Sequence, residues 1–459
     1  MTARTTTKNV IVVGSGIAGT TAAFRLRQEG YQVTLLEQED YPGGRMSSHA
    51  VSGGDSAYRL DRGASWLSRN YLPMIKLLEE TGLASRMLPC SNELGVLRDG
   101  KVHRLSFVRP TDLLRTGLLG WRSKLKALNL LRDLSAARPA LSWSDMSKAA
   151  GIDIESAQEY ALRRLDKPLL DYLVEPLCST QFLAPADEIS AVGVLSIMWG
   201  TFGAASFTFD GGVGRLPAFL LDLPLMRSEQ TRVELNARVS DVRQDGNGVH
   251  VTWERDGASR VEHGDACVVA VPGPIAAGLV PSLTDDQRAY LSALRYTSDV
   301  HVTFGLREAT GETALGVAIP LREHPDLCVV LHEHNLGPGR APADQGLVTL
   351  VFRHHWSAAR KSVDDDTVVE DSLTALTEVL PDLAAHIGKH REMAAVQRWD
   401  RAVLARPTGG YGDLARFTSS LDPRSPIQLA GDYFAYSTTN ASLSTGEAAA
   451  QRVAALLST

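Results

Sequence analysis

The residues whose types and spacing most plainly imply chemistry lie near the start of the chain. Gly14-Ser15-Gly16-Ile17-Ala18-Gly19 follows a short apolar run at residues 9–13. In such a pattern Gly14 allows a tight turn, Gly16 lets a pyrophosphate approach the backbone, and Gly19 lets the next helix pack close to the strand. Ile17 and Ala18 lead into that helix, whose free N–H groups and partial positive charge suit a diphosphate. Glu37 ends the following apolar run, at the distance where an acidic side chain reaches a ribose hydroxyl. Gly43-Gly44-Arg45-Met46 comes soon after. Two glycines and a guanidinium suit a loop that folds back over the same diphosphate, with Arg45 as a charge-assisted donor. The chemistry implied is capture of a dinucleotide.

The elements that must position these residues are a βαβ unit. Residues 9–13 are nearly all apolar and β-branched, as a strand buried on both faces requires. A helix over 18–28 stops at Gly30, and a second strand covers 32–36. Further along, the spacing predicts a helix over 73–83 and a hairpin pairing 94–97 with 102–105 around Asp99-Gly100. Helical segments fill 144–186. A β-meander is expected at 232–235, 237–243 and 249–254, with turns at 245–248 and 256–257. Strands are expected at 266–271, 300–306, 347–352 and 427–432, a loop at 338–344, and helices at 367–380 and after Asn440.

Two stretches raise the question of a membrane. Residues 109–138 are helical, leucine-rich and basic, with seven Lys/Arg against two Asp. They read as a two-helix element with a solvated basic face; peripheral membrane contact is the alternative. Residues 189–209 carry no charge. Their Gly, Ser and Thr content and the lack of a flanking positive cluster favour a buried helix beside a pocket over a bilayer span.

With 459 residues and 44% hydrophobic content, the chain can bury a large core in two or three structural units. A net charge of −6 argues against nucleic acid as a partner. Cys90, Cys178, Cys267 and Cys328 are widely separated and form no CxxC pair, which excludes dithiol redox chemistry and fits reduced thiols in a cytoplasmic protein. His332-Glu333-His334 and His354-His355 lack further ligands at metal spacing, so no metal is expected. The N-terminal MTARTTTKN reads as a short tail and not a signal peptide.

The GxGxxG, Glu37 and GGR signature resembles that of the flavin-containing amine oxidoreductase superfamily, which includes amine oxidases, protoporphyrinogen oxidases and carotenoid-type desaturases. Other landmarks resemble it too: YRLDRGASWL at 58–67, DGGVGRLP at 210–217, ACVVAVP at 266–272, Trp399 with PTGGY at 407–411, and the Gly431-Asp432 pair before the last helix. The resemblance implies FAD. It places Gly63, Ala64, Ser65 and Trp66 beside the flavin ring, Val239 near the adenine, Asp432 at the ribityl-diphosphate, and Ser442 and Leu443 at the flavin's N1–O2 edge. It implies an α/β fold in which a Rossmann-type FAD-binding domain (1–65, 210–285 and 391–459) is interleaved with an α+β substrate domain (66–209 and 286–390), helical over 107–205.

The departures bear on substrate. Amine oxidases often hold a water near flavin N5 with a lysine; here His301 falls nearest that position, as a proton acceptor or as a hydrogen-bonded structural histidine. Tyr411 and Tyr436 are the candidates for an amine-binding aromatic pair. The expected function is dehydrogenation of a small hydrophobic molecule, as by a protoporphyrinogen oxidase or a desaturase in secondary metabolism. Hydride would pass from a C–H next to N or C to flavin N5, with oxygen or another acceptor reoxidising the flavin. The alternatives are an amine oxidase yielding imine and hydrogen peroxide, an NAD(P)-linked dehydrogenase, and a non-catalytic FAD-binding protein. A homodimer stays open.

Overall fold

The computed structural model describes residues 7–458 apart from 107, 110 and 247. Residues 1–6 of the expected tail, Pro110 of the basic segment and Asn247 of the expected turn lie outside the described residues.

A five-stranded parallel sheet has Asn9–Val13 at its centre. Gln32–Leu36 pairs on one side and Ala266–Val269 on the other. Thr231–Glu234 and Ile427–Leu429 form the two edges. Sequence pattern grouped Arg232 and its neighbours with the meander. They are instead the parallel edge of this sheet, and the antiparallel meander is Arg238–Asp245, Gly248–Arg255 and Ala258–Gly264. A four-residue apolar/polar alternation does not reveal its partner. Helices Ile17–Gln28 and Thr439–Leu457 pack together on the sheet at a point of very close approach. A Cβ on Gly446 would stand 2.1 Å from the Ala18 carbonyl oxygen.

A seven-stranded sheet runs in the order Arg391–Leu404, Tyr296–Leu306, Gly346–Phe352, Leu327–His332, Gly316–Ala318, Glu93–Arg98, Lys101–Ser106. Arg391–Leu404, which sequence reading grouped with the cofactor segments, pairs with Tyr296–Leu306 over most of its length. The 94–105 hairpin turns on Asp99 (φ 50°) and Gly100 (φ 73°), the left-handed pair that a two-residue loop needs.

Strand alternation gives Tyr296–Leu306 two faces. Val300, Val302, Phe304 and Leu306 join a core under helices Asp365–Val379 and Pro381–His390. Asp299, His301 and Thr303 point the other way. Over that second face lies a helical layer that includes Trp121–Ala137, Ala157–Arg164, Glu175–Phe182 and Ala191–Thr201. The uncharged stretch at 189–209 resolves into the last of these helices, buried along nearly its whole length, and the strand Ser206–Phe209. Among the described residues no helix is long and apolar enough to cross a membrane.

Candidate functional site

The turn after the first strand is held by main-chain crowding. Gly14 has φ 93°, and a Cβ there would stand 2.7 Å from the Ala270 oxygen; one on Gly19 would stand 1.8 Å from the Gly14 oxygen. Both glycines are packing requirements, and neither lines the cavity described below. Gly16 differs: a Cβ would meet nothing within 4 Å. It caps Ile17–Gln28 without a side-chain partner, so the first N–H groups of that helix face open space. Gly43 bridges to Gly16 in parallel fashion, and Gly44 (φ 53°) approaches the Gly16 Cα. The result is a strip of bare backbone ending at a helix N-terminus, which fits a diphosphate.

Glu37 lies just off this strip. Its carboxylate accepts from the Ser15 N–H at 2.7 Å and the Ser15 hydroxyl at 2.6 Å. Arg45 lines the cavity and donates to Asp432 at 2.9 Å and to the Ala402 carbonyl at 2.8 Å. Tyr296 and Ser437 also donate to Asp432, at 2.7 and 3.1 Å. Burial alone would raise the Asp432 pKa; the Arg45 charge and these hydrogen bonds outweigh it and hold the carboxyl below its ordinary range.

The strip opens into a cavity of about 590 Å³. Most of its wall is aliphatic, including Leu113, Leu128, Leu173, Leu177, Ile197 and Met198. Its floor is the second face of the seven-stranded sheet. There Asp299, His301, Thr349 and Glu333 form a polar patch near Gly63, Ala64 and Ser65. His301 Nδ1 stands 2.7 Å from an Asp299 oxygen. Burial disfavours the imidazolium, but Asp299, and more weakly Glu333, reverse this and raise the His301 pKa above its ordinary value.

A buried ion triad braces the patch. Arg340 is fully buried, 2.5 Å from Asp61 and 3.2 Å from Glu333. It also donates to the Ser65 carbonyl at 3.0 Å, fixing the backbone beside the strip. Thr349 donates to Glu333 at 2.6 Å, and Ser48 donates to Asp61 at 2.5 Å. Burial leaves both carboxyls with raised pKa values despite the arginine.

Of the residues singled out in the sequence, Gly16, Ile17, Ala18, Arg45, Gly63, Ala64, Ser65, Trp66, His301, Gly431, Asp432 and Ser442 line this one cavity. Gly44 sits against Gly16 behind the strip, Leu443 is buried core, and Val239 lies in the meander. The aromatic pair departs from expectation. Tyr411 is buried under Arg406, its N–H donating to Asp153 at 2.8 Å, and Tyr436 packs on Trp143. Neither reaches the cavity, because Tyr411 opens a helix that packs into a separate core. Sequence reading did not single out Asp299, Glu333, Arg340 or Asp61 as site residues, whereas Trp399, one of its landmarks, does line the cavity. The alternation Asp299-Val300-His301-Val302-Thr303 could have flagged the first, since residues two apart share a strand face.

A strip of bare backbone that fits a diphosphate and runs straight into a largely apolar cavity is the arrangement of a cofactor-dependent protein with its own small-molecule pocket. Comparison with known proteins narrows this. Residues 17–454 match the family described as flavin containing amine oxidoreductase, and the chain belongs to that family, with FAD as its cofactor. Among curated proteins, it is 26% identical over 194 residues to protoporphyrinogen oxidase 2, chloroplastic/mitochondrial, of Arabidopsis thaliana, which covers 42% of this chain and 36% of that one. It is 28% identical over 274 residues to polyamine oxidase 4 of Oryza sativa subsp. japonica, covering 58% of this chain and 51% of that one. The matches thus span about a third to a half of these relatives. Among solved structures, cyclohexylamine oxidase from Brevibacterium oxydans IH-35A has a TM-score of 0.72 at 18% identity, covering 99% of this chain and 100% of that one. That likeness establishes the fold.

Proposed function

We propose that this protein is an FAD-dependent dehydrogenase of a hydrophobic small molecule, of the kind represented by protoporphyrinogen oxidases and desaturases. The observation that carries the reading is the continuity of the backbone strip with a largely aliphatic cavity whose floor carries the buried pair Asp299 and His301. FAD, when bound, supplies a two-electron acceptor for hydride. The chain supplies the rest. Gly16, Ile17, Ala18, Arg45 and Asp432 would hold the cofactor, with Glu37 on its ribose side. The segment Gly63–Ser65 and Ser442 would flank its ring. Trp66 packs against the substrate, His301 takes up the proton that leaves it, and the leucine-lined wall excludes water. Oxygen or another acceptor completes the cycle.

We also propose that the protein works in the cytoplasm and meets a membrane surface through residues 109–138. Leu114, Trp121, Leu125 and Leu128 expose 57–67% of their surface there, and Leu114 and Leu128 also line the cavity. A substrate that partitions into lipid would enter from that side.

The test is an anaerobic visible spectrum before and after adding a porphyrinogen, a polyene precursor, a primary amine and a secondary amine. Bleaching of the flavin bands by the first two is expected. Bleaching by the amines alone would return the chain to amine oxidation, and a colourless preparation would sink the flavin reading.

A further inference from the structure

Asp299 and His301 are two apart on one strand, so they share the face that floors the cavity. Their neighbours fix them. Asp299 lies opposite Trp399 and His301 opposite Gln397 in the adjoining strand, and the register shifts just before Asp299. Such an irregularity re-aims a side chain. Both side chains are more than nine-tenths buried. One Asp299 oxygen meets His301 Nδ1 at 2.7 Å; the other is buried with no hydrogen-bond partner among the described residues. The carboxylate therefore has one strong donor within reach, the imidazole. Among the described residues His301 Nε2 has no hydrogen-bond partner, and the ring lines the cavity.

We propose that Asp299 is the positioning residue for His301: it holds the ring by Nδ1, keeps the proton on that nitrogen, and leaves Nε2 as the acceptor that faces substrate. This rests on the reading of His301 given above. With FAD bound as the two-electron acceptor, the substrate C–H bond would break with its electron pair leaving as hydride. The proton on the neighbouring substrate atom passes to Nε2 as a double bond forms between the two atoms. The imidazolium then sits against the Asp299 carboxylate. Two electrons leave the substrate and two are accepted, so charge and atoms balance. An aspartate that orients a histidine base and stabilises its protonated form has a general precedent in hydrolytic triads.

Other groups facing His301 act in the same sense or stay neutral. Glu333, in the turn Glu333–Asn335, adds attraction, though its charge is shared with Arg340 and Thr349. His49, on the hairpin strand Ser48–Gly53, is held below its ordinary pKa by burial and by Arg62, so it adds no positive charge near neutrality. Gln397 is uncharged and donates to the Arg398 carbonyl.

The experiment uses the FAD-loaded full chain labelled with ¹⁵N-histidine, as wild type, D299N, D299E and H301Q, the last assigning the His301 signals. Flavin absorbance and melting temperature report folding of each variant. In the wild type, His301 is expected to carry its proton on Nδ1 above its pKa. In D299N the tautomers should mix and the pKa should fall. The acid limb of anaerobic flavin reduction should move to lower pH by the same amount, because a less basic imidazole loses its proton earlier. The plateau rate should fall about 10²-fold or more, within the range for general-base catalysis. D299E, which keeps the charge, should retain more of the pKa than D299N. An unchanged tautomer and pKa in D299N and D299E overturns the positioning role. A changed tautomer with an unmoved pH profile marks a structural pair and overturns the catalytic role. If no member of the substrate panel reduces the wild-type flavin, the proposed function fails, and the NMR arm still decides the positioning.

Discussion

At the scale of single residues, the arginine that braces the floor makes the sharpest prediction. Arg340 is the cation between Asp61 and Glu333, and all three are essentially without solvent. Removing one member of a buried charge set leaves the others uncompensated, at a cost of about 3–5 kcal/mol. Arg340→Met should therefore destabilise the protein by about that amount in urea unfolding at pH 8. The sign with pH follows from the carboxyls. Both have folded pKa values above their unfolded ones, and loss of the arginine raises them further. A carboxyl with a raised folded pKa binds a proton more readily folded than unfolded, so its penalty grows as pH rises above the unfolded pKa. The deficit of the variant should be smaller at pH 5 than at pH 8. A deficit independent of pH would mean that packing, and not charge, carries the effect. None of this was legible from sequence, since positions 61, 333 and 340 carry no mutual spacing signal. Gly14, Gly16 and Gly19 were legible because a single turn needs all three within six residues.

At the scale of elements, the helix Trp121–Ala137 divides its surface in a way that periodicity half disclosed. Ala127 and Leu130 are buried against the helical layer, while Trp121, Leu125 and Leu128 recur at helical spacing on the opposite face and are exposed. Which stripe would meet protein could not be read from a segment with leucines on several faces. The exposed stripe is accompanied by Arg122, Lys124, Lys126 and Arg132, which suits an anionic bilayer. We expect the protein to co-sediment with vesicles containing phosphatidylserine and much less with neutral ones. A double substitution, L125E/L128E, should abolish co-sedimentation while the flavin spectrum and urea midpoint stay near wild type, because exposed side chains contribute little to the fold. Equal sedimentation of variant and wild type would remove the membrane proposal. The strand Tyr296–Leu306 is the converse case: its even positions read as core, and its odd positions as site, only once its pairing partners are known.

At the scale of the molecule, the cavity is assembled from segments scattered along the chain. Gly16–Ala18, Gly43–Met46, Gly63–Trp66, Ala270–Pro272, Ala402–Val403 and Gly431–Ser442 all contribute to its wall near the backbone strip. The parallel sheet is likewise stitched from three distant stretches, 9–36, 231–269 and 427–429. A ligand that touches all of them is bound only by the native arrangement, so FAD must stabilise the whole fold by mass action and not one lobe alone. At a free FAD concentration of 100 times Kd that stabilisation is about 2.7 kcal/mol. The expected result is a urea transition that moves up with FAD concentration, in which circular dichroism, tryptophan emission and release of flavin fluorescence change together. Release of flavin well before the loss of secondary structure would show that the strip opens locally. The dispersed segments would then form a clamp that the rest of the molecule does not need. The close approach of Gly446 to the Ala18 carbonyl argues for the coincident transition. The first and last helices share one packing surface directly behind the strip, and no cofactor-binding half can come apart without separating them.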